Sequence, residues 1–136
     1  MEAGGRVSVE RVNPPELGPP PGFSHAVIGR GTVVFLAGQT AIDATGQVAA
    51  SGIVAQFELA LGRLLTALQA SGGTPDQLAS LTVYVTDLED YRAHGREIGA
   101  VWRQLAGRDY PAMAAVGVSK LWDEAALVEV QGFAVI

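Results

Sequence analysis

"IVAQFELALGRLLTALQASGGTPDQLASLTVYVTDL" runs from Ile53 to Leu88 and holds the two patterns that decide the fold. In its first half, Ile53, Phe57, Ala60, Leu61, Leu64, Leu65 and Leu68 recur at intervals of three and four, laying one apolar stripe along a helix. The "SGG" at 71 to 73 ends that helix. In the second half, "SLTVYVTDL" is a β-branched run bounded by polar residues, the pattern of a buried strand. Between them "TPDQL" starts a short helical turn with Thr74 as its cap. A striped helix that passes directly into a buried strand predicts helices layered on a sheet.

Working outward, "RVSVERV" (Arg6 to Val12) alternates with period two and predicts a strand. The segment "NPPELGPPPG" then carries five prolines and two glycines, a stiff surface loop. "FSHAVIGRGTVVFLAGQTAI" (Phe23 to Ile42) holds two β-type runs around Gly29, Arg30 and Gly31, which predicts a hairpin, and "DATGQV" predicts a further turn. Beyond Leu88 a second long helix is expected, with Tyr91, Ile98, Val101, Trp102 and Leu105 on one face and Arg92, Arg96, Glu97 and Arg103 on the other, stopped by "GRDYP". Strands from Ala112 to Val118 and from Leu127 to Val135 flank the loop "KLWDEA". The expected order is β-β-β-α-β-α-β-β, an α+β chain with two long helices on one face of a mixed sheet, a single domain over residues 1–136.

Composition narrows the function classes. Hydrophobic residues make up 49% of the chain and charged ones 17%, a balance that implies apolar surface hidden by self-association. A net charge of -5 without a Lys/Arg cluster offers no footprint for a phosphate backbone, which argues against nucleic acid as a partner. The absence of cysteine removes disulfides, thiolate catalysis and thiolate metal ligands together. His25 and His94 lie far apart in the sequence, and neither a metal nor another cofactor is expected. No uninterrupted apolar run approaches about 18 residues and the first twelve residues lack a leader pattern, so a cytoplasmic protein without a membrane partner is the expectation. Ser24 and His25 point to opposite faces of an extended chain and cannot form a nucleophile–base pair.

Several blocks in sequence carry a family resemblance: "FSHAV", "VFLAGQTAID", the segment from Val54 to Tyr91, "YPAMAAVGVSKL" and "LVEVQGFAVI". In this order and spacing they resemble the Rid (YjgF-like) family, the reactive intermediate deaminases. That resemblance implies a chorismate-mutase-like subunit assembled as a homotrimer, with three sheets as an inner barrel and a small-molecule cleft at each subunit interface.

It also implies site residues. Active members carry an arginine in the third place of a Pro-Ala-Arg block, where the guanidinium grips the carboxylate of a 2-imino or enamine acid; here that place is Met113. Losing such a charge-assisted pair costs on the order of 2 to 3 kcal/mol, roughly 30- to 150-fold in affinity. The family's tyrosine before "SHA" is Phe23, which keeps the ring and loses the hydroxyl, and an asparagine in the second helix aligns with Gly95, leaving His94 as the polar neighbour. The glutamate held to orient the attacking water is retained as Glu129, the catalytic candidate. Gly38, Gln39 and Trp122 complete the substrate-binding candidates beside Phe23 and Met113.

Each has a plainer reading. Met113 alone on a strand of small residues is core filler. Glu129, between Val128 and Val130, faces away from both and is either solvated or set in a polar pocket. Two functions fit: an imine or enamine deaminase of altered specificity, in which Arg30, Arg108 or Lys120 takes over the missing arginine's task or no carboxylate is gripped; or a non-catalytic homotrimer binding a ligand or partner. A ribonuclease activity sits poorly with the acidic chain and ranks last.

Overall fold

The computed structural model describes residues 7–136. Arg6, the start of the expected first strand, lies outside the described residues with the rest of 1–6.

The order of elements is β1 (Val9–Val12), β2 (Ala26–Gly29), β3 (Val33–Gln39), α1 (Ile53–Ala70), β4 (Leu78–Val85), α2 (Leu88–Ala93), α3 (Gly95–Ala106), β5 (Ala112–Gly117) and β6 (Val128–Val135). One four-stranded sheet runs β3-β6-β4-β5, with β6 antiparallel to both neighbours and β4 parallel to β5. The expected α+β chain with a mixed sheet is therefore present.

Two expectations change. The runs around Gly29 to Gly31 do not form a hairpin: β2 pairs with β1, while β3 pairs with the chain's last strand. Gly31, at φ +137°, turns the backbone so that Thr32 exchanges both backbone hydrogen bonds with Ile136, where a Cβ at 31 would strike the Ile136 carbonyl. The second helix is also broken in two at His94, whose φ of -104° and ψ of 22° leave the helical region. Asp87 caps α2 by accepting from the Asp90 amide, and α3 restarts at Gly95, a poor helix former.

The helices lie on one sheet face. Ile53, Phe57, Ala60, Leu61, Leu64 and Leu68 of α1 bury against the sheet, and Ile98, Val101 and Trp102 of α3 extend the same core over Leu81, Val83 and Val85 of β4 and Val128 and Val130 of β6. With 18 residues, α1 is long and apolar enough to cross a membrane by length and composition, yet its stripe is spent on this core. The opposite sheet face carries Val33, Phe35, Val116 and Phe133 exposed, with the two phenylalanine rings edge to face at 5.4 Å.

A buried amide fixes the 119–127 loop to α1. Gln56, 3% exposed, donates to the Ala50 and Ala125 carbonyls and accepts from the Leu127 amide at 2.7 Å. Replacing it with leucine keeps the volume and strands three backbone groups, so Gln56→Leu is expected to lower the unfolding free energy by about 2 kcal/mol. Urea unfolding checks this; a loss below about 0.5 kcal/mol would show that the loop finds other partners.

Candidate functional site

Met113 sits near the start of β5, two residues after Pro111. Pro111 is buried, the Pro111 carbonyl accepts from the Ser24 amide, and the Ser24 hydroxyl donates to the Tyr110 carbonyl at 2.7 Å. The loop ending at Phe23 is thereby laid across the entrance to β5. In the parallel β4–β5 ladder Met113 lies beside Leu81 and Ala115 beside Val83, so Met113 belongs to the helix-covered face of the sheet.

Two adjoining cavities meet at Met113. The deeper, of about 180 Å³, is walled by Phe57, Tyr91, Trp102 and Tyr110 with the backbone of Gly95 and Gly99. The outer, of about 280 Å³, is lined by Phe23, Val83, Ala114 and Ala115, and both share Pro21, Gly22, Tyr91 and Met113. No lining residue carries a formal charge. Burial pushes the Tyr91 phenol above the ordinary tyrosine range, so it remains a neutral donor at any physiological pH.

Glu129 occupies the other face. Along β6, Val128, Val130, Gly132 and Ala134 are buried toward the helices, and Glu129 alternates outward beside Tyr84 of β4. The register of β3 against β6 shifts between Leu36 and Gln39, and Gly38 in that bulge passes directly under the glutamate. A Cβ at 38 would collide with Glu129 Oε2, so the missing side chain is what lets the carboxylate lie there.

The sequence candidates thus separate into groups. Phe23 and Met113 come together in the cavities; Gly38 and Glu129 come together on the far face. Within the chain the sheet lies between Met113 and Glu129. Gln39 accepts a hydrogen bond from Arg63 Nε at 3.0 Å, which holds its side chain to α1. Trp122 is 94% exposed on the 119–127 loop and lines neither cavity, because Gln56 and a Thr40–Asp123 hydrogen bond of 2.6 Å anchor that loop on its other residues. Arg30 pairs with Glu10 at 3.5 Å, Arg108 and Lys120 are exposed, and none of the three lines the cavities. His94 does not stand in for a polar group at 95: its Nδ1 is engaged with the Asp90 carbonyl and carboxylate, and the carbonyl first, then the carboxylate, raises its pKa. Among the described residues no group of acidic or histidine side chains could hold a metal ion.

Tyr91, Trp102 and Tyr110 were legible only as core or helix-stop residues. Glycines at 95 and 99, one turn apart, were the available signal that the core is left open beside them.

The model of the family described as Endoribonuclease L-PSP matches residues 15–136. A RutC family protein of Pyrococcus horikoshii is 31% identical over 122 residues, 89% of this chain and 90% of that protein. The 2-iminobutanoate/2-iminopropanoate deaminase of Capra hircus is 30% identical over 90% of this chain and 83% of its own length. Among solved structures, the Rid-family protein YyfB of Yersinia pestis, of unknown function, superposes with a TM-score of 0.86 at 29% identity, covering 96% of this chain and all of that one. Because the match runs from the proline-rich loop through the last strand and the fold superposes on that of the Yersinia pestis protein, the chain belongs to the Rid (YjgF-like) family, the endoribonuclease L-PSP family.

Proposed function

We propose that this chain is a cytoplasmic, single-domain subunit of a homotrimer that binds a small molecule where the Met113 cavities of one subunit meet the Glu129 face of the next. There it hydrolyses an imine or enamine that is not a small 2-imino acid. The observation that carries the reading is Met113 itself, at the junction of two cavities without a charged lining residue. Relatedness to the goat 2-iminobutanoate/2-iminopropanoate deaminase supports the reaction class. The uncharged lining supports the change of substrate, because a carboxylate entering such a cavity loses its water and gains no cation.

The reaction needs little from the protein. Water adds to the carbon of C=N, the nitrogen leaves as ammonia and a carbonyl remains. Glu129 accepts a proton from the water and returns one to the departing nitrogen. Exposed Phe35 and Phe133 on the open sheet face, with the apolar composition, support burial of that face between subunits.

The reading is checked in two measurements. Sedimentation equilibrium at micromolar concentration is expected to return three times the 14.1 kDa subunit mass. Turnover of 2-aminoacrylate, generated from serine in a coupled assay, is expected to stay near background, about 30-fold or more below an arginine-bearing relative. A monomer mass removes the shared site, and turnover matching that relative shows that another cation grips the carboxylate. Should no neutral imine or enamine be turned over by an intact trimer, the non-catalytic binding reading takes its place.

A further inference from the structure

Gly99 of α3 is a wall of the deeper cavity, and the space beside it is claimed by a cation. Arg103, one helix turn further on, folds back along α3 so that its Nη1 lies 3.2 Å from where a Cβ on Gly99 would stand. A side chain at 99 would crowd the guanidinium off this spot; glycine lets it rest against the backbone. Arg103 is an exposed residue and does not line the cavity, so its charge stands at the edge and in contact with water. Other arginines are already engaged: Arg11 donates to the Tyr110 carbonyl, Arg63 to Gln39, and Arg30 pairs with Glu10. Among the described residues the Arg103 guanidinium has neither a hydrogen-bond acceptor nor an ion-pair partner.

An apolar cavity with a cation at its edge selects an acid by its body. A carboxylate carried into the cavity would lose its water without compensation, whereas one left at the Gly99 edge keeps its water and meets Arg103. An exposed ion pair alone is worth at most about fivefold in affinity. Each CH₂ group that the same ligand buries adds roughly fourfold, so a small acid gains little and an acid with an apolar body gains much. The cavity suits a ring: Trp102 and Tyr110 lie stacked at 6.2 Å and 26° as one flat wall, and its volume of about 180 Å³ exceeds the roughly 150 Å³ that accepts benzene.

We propose that Arg103 is the carboxylate-binding cation of the Met113 site, and that it holds at the Gly99 edge the acid group of a ligand whose apolar, ring-sized body fills the deeper cavity. The clamp comes from α3 rather than from β5, which moves the acid out of the cavity and sets the size of the body that can follow it. This rests on the reading of the Met113 cavity as the ligand site and names the substrate class there: an acid with a large apolar body, in place of the small 2-imino acid already set aside.

Phenylacetate, phenylacetamide and pyruvate separate the two contributions, since the second lacks the charge and the third lacks the ring. The full chain is titrated with each while the Gly99 backbone amide is followed by NMR. Phenylacetate is expected to shift that signal saturably, about fivefold more tightly than phenylacetamide and at least tenfold more tightly than pyruvate. Arg103→Gln is expected to bring phenylacetate down to the level of the amide and to leave the amide unchanged, and Arg103→Lys to recover part of the preference. Arg96→Gln removes the same charge from the same helix without a contact at Gly99 and is expected to change nothing by more than about twofold. If phenylacetamide binds the natural protein as tightly as phenylacetate, the inference falls and the cavity remains the ligand site. The same holds if the preference for the acid survives Arg103→Gln, or if Arg96→Gln removes it equally. If neither phenyl compound moves the Gly99 signal, or if pyruvate binds as tightly as phenylacetate, the inference and the reading of the cavity fall together.

Discussion

Met113→Arg is expected to raise the affinity of the protein for pyruvate by roughly 30- to 150-fold, the worth of a charge-assisted carboxylate pair of about 2 to 3 kcal/mol. The expectation draws on the position of Met113 between two cavities in which no lining residue is charged. A guanidinium there has no counter-ion, so the unliganded variant should be less stable than the natural protein. An acid that binds the cation should restore the loss, and thermal unfolding should therefore depend on pyruvate in the variant and not in the natural chain. Adding Phe23→Tyr returns a hydroxyl to the lining of the outer cavity and should tighten binding again. Binding should return before turnover does, because the clamp supplies ground-state affinity while hydrolysis also needs an oriented water. A folded trimer of the double variant that ignores pyruvate would make Met113 core filler and withdraw the cleft assignment.

Gly132→Ala is expected to lower the unfolding free energy by about 3 kcal/mol, with a fall in Tm of roughly 10 °C for a chain of this size. Gly132 sits in β6 between β3 and β4, opposite Leu36 on one side and Leu81 on the other. A Cβ at this position would stand 2.5 Å from the Ser80 carbonyl oxygen and 3.0 Å from Leu81 Cδ1. The side chain of Leu81 can turn away; the carbonyl is locked into the ladder and cannot. The central pairing of the sheet must therefore open, and the strand that carries Glu129 moves with it. Thermal and urea unfolding report the loss, and a variant within about 1 kcal/mol of the natural protein would show that the β4–β6 register can slide to make room.

Element type was legible wherever periodicity was local. The stripe from Ile53 to Leu68 and the β-branched run at 80 to 86 each state their own structure, because a helix buries every third and fourth residue and an inner strand buries by alternation and branching. Alternation also placed Glu129 on the face away from Val128 and Val130, and the family resemblance marked Met113 and Phe23 as neighbours. Pairing was not local. Whether β3 met β2 or the last strand depended on Gly31 turning the chain toward Ile136, a contact between residues more than a hundred positions apart. The site was divided by the same cause. Tyr91, Trp102 and Tyr110 carry ordinary core and helix-end patterns, and only the tertiary placement of α2 and α3 beside Phe57 of α1 and Met113 of β5 turns them into cavity walls. Gln39 and Trp122 are polar and aromatic candidates by type, but the reach of Arg63 claims the first and the anchoring of the 119–127 loop leaves the second in solvent. The amino-acid sequence by itself thus determined which segments are helix or strand and which faces they bury; which strands meet, and which side chains share a cavity, was decided by long-range contacts that no local period encodes.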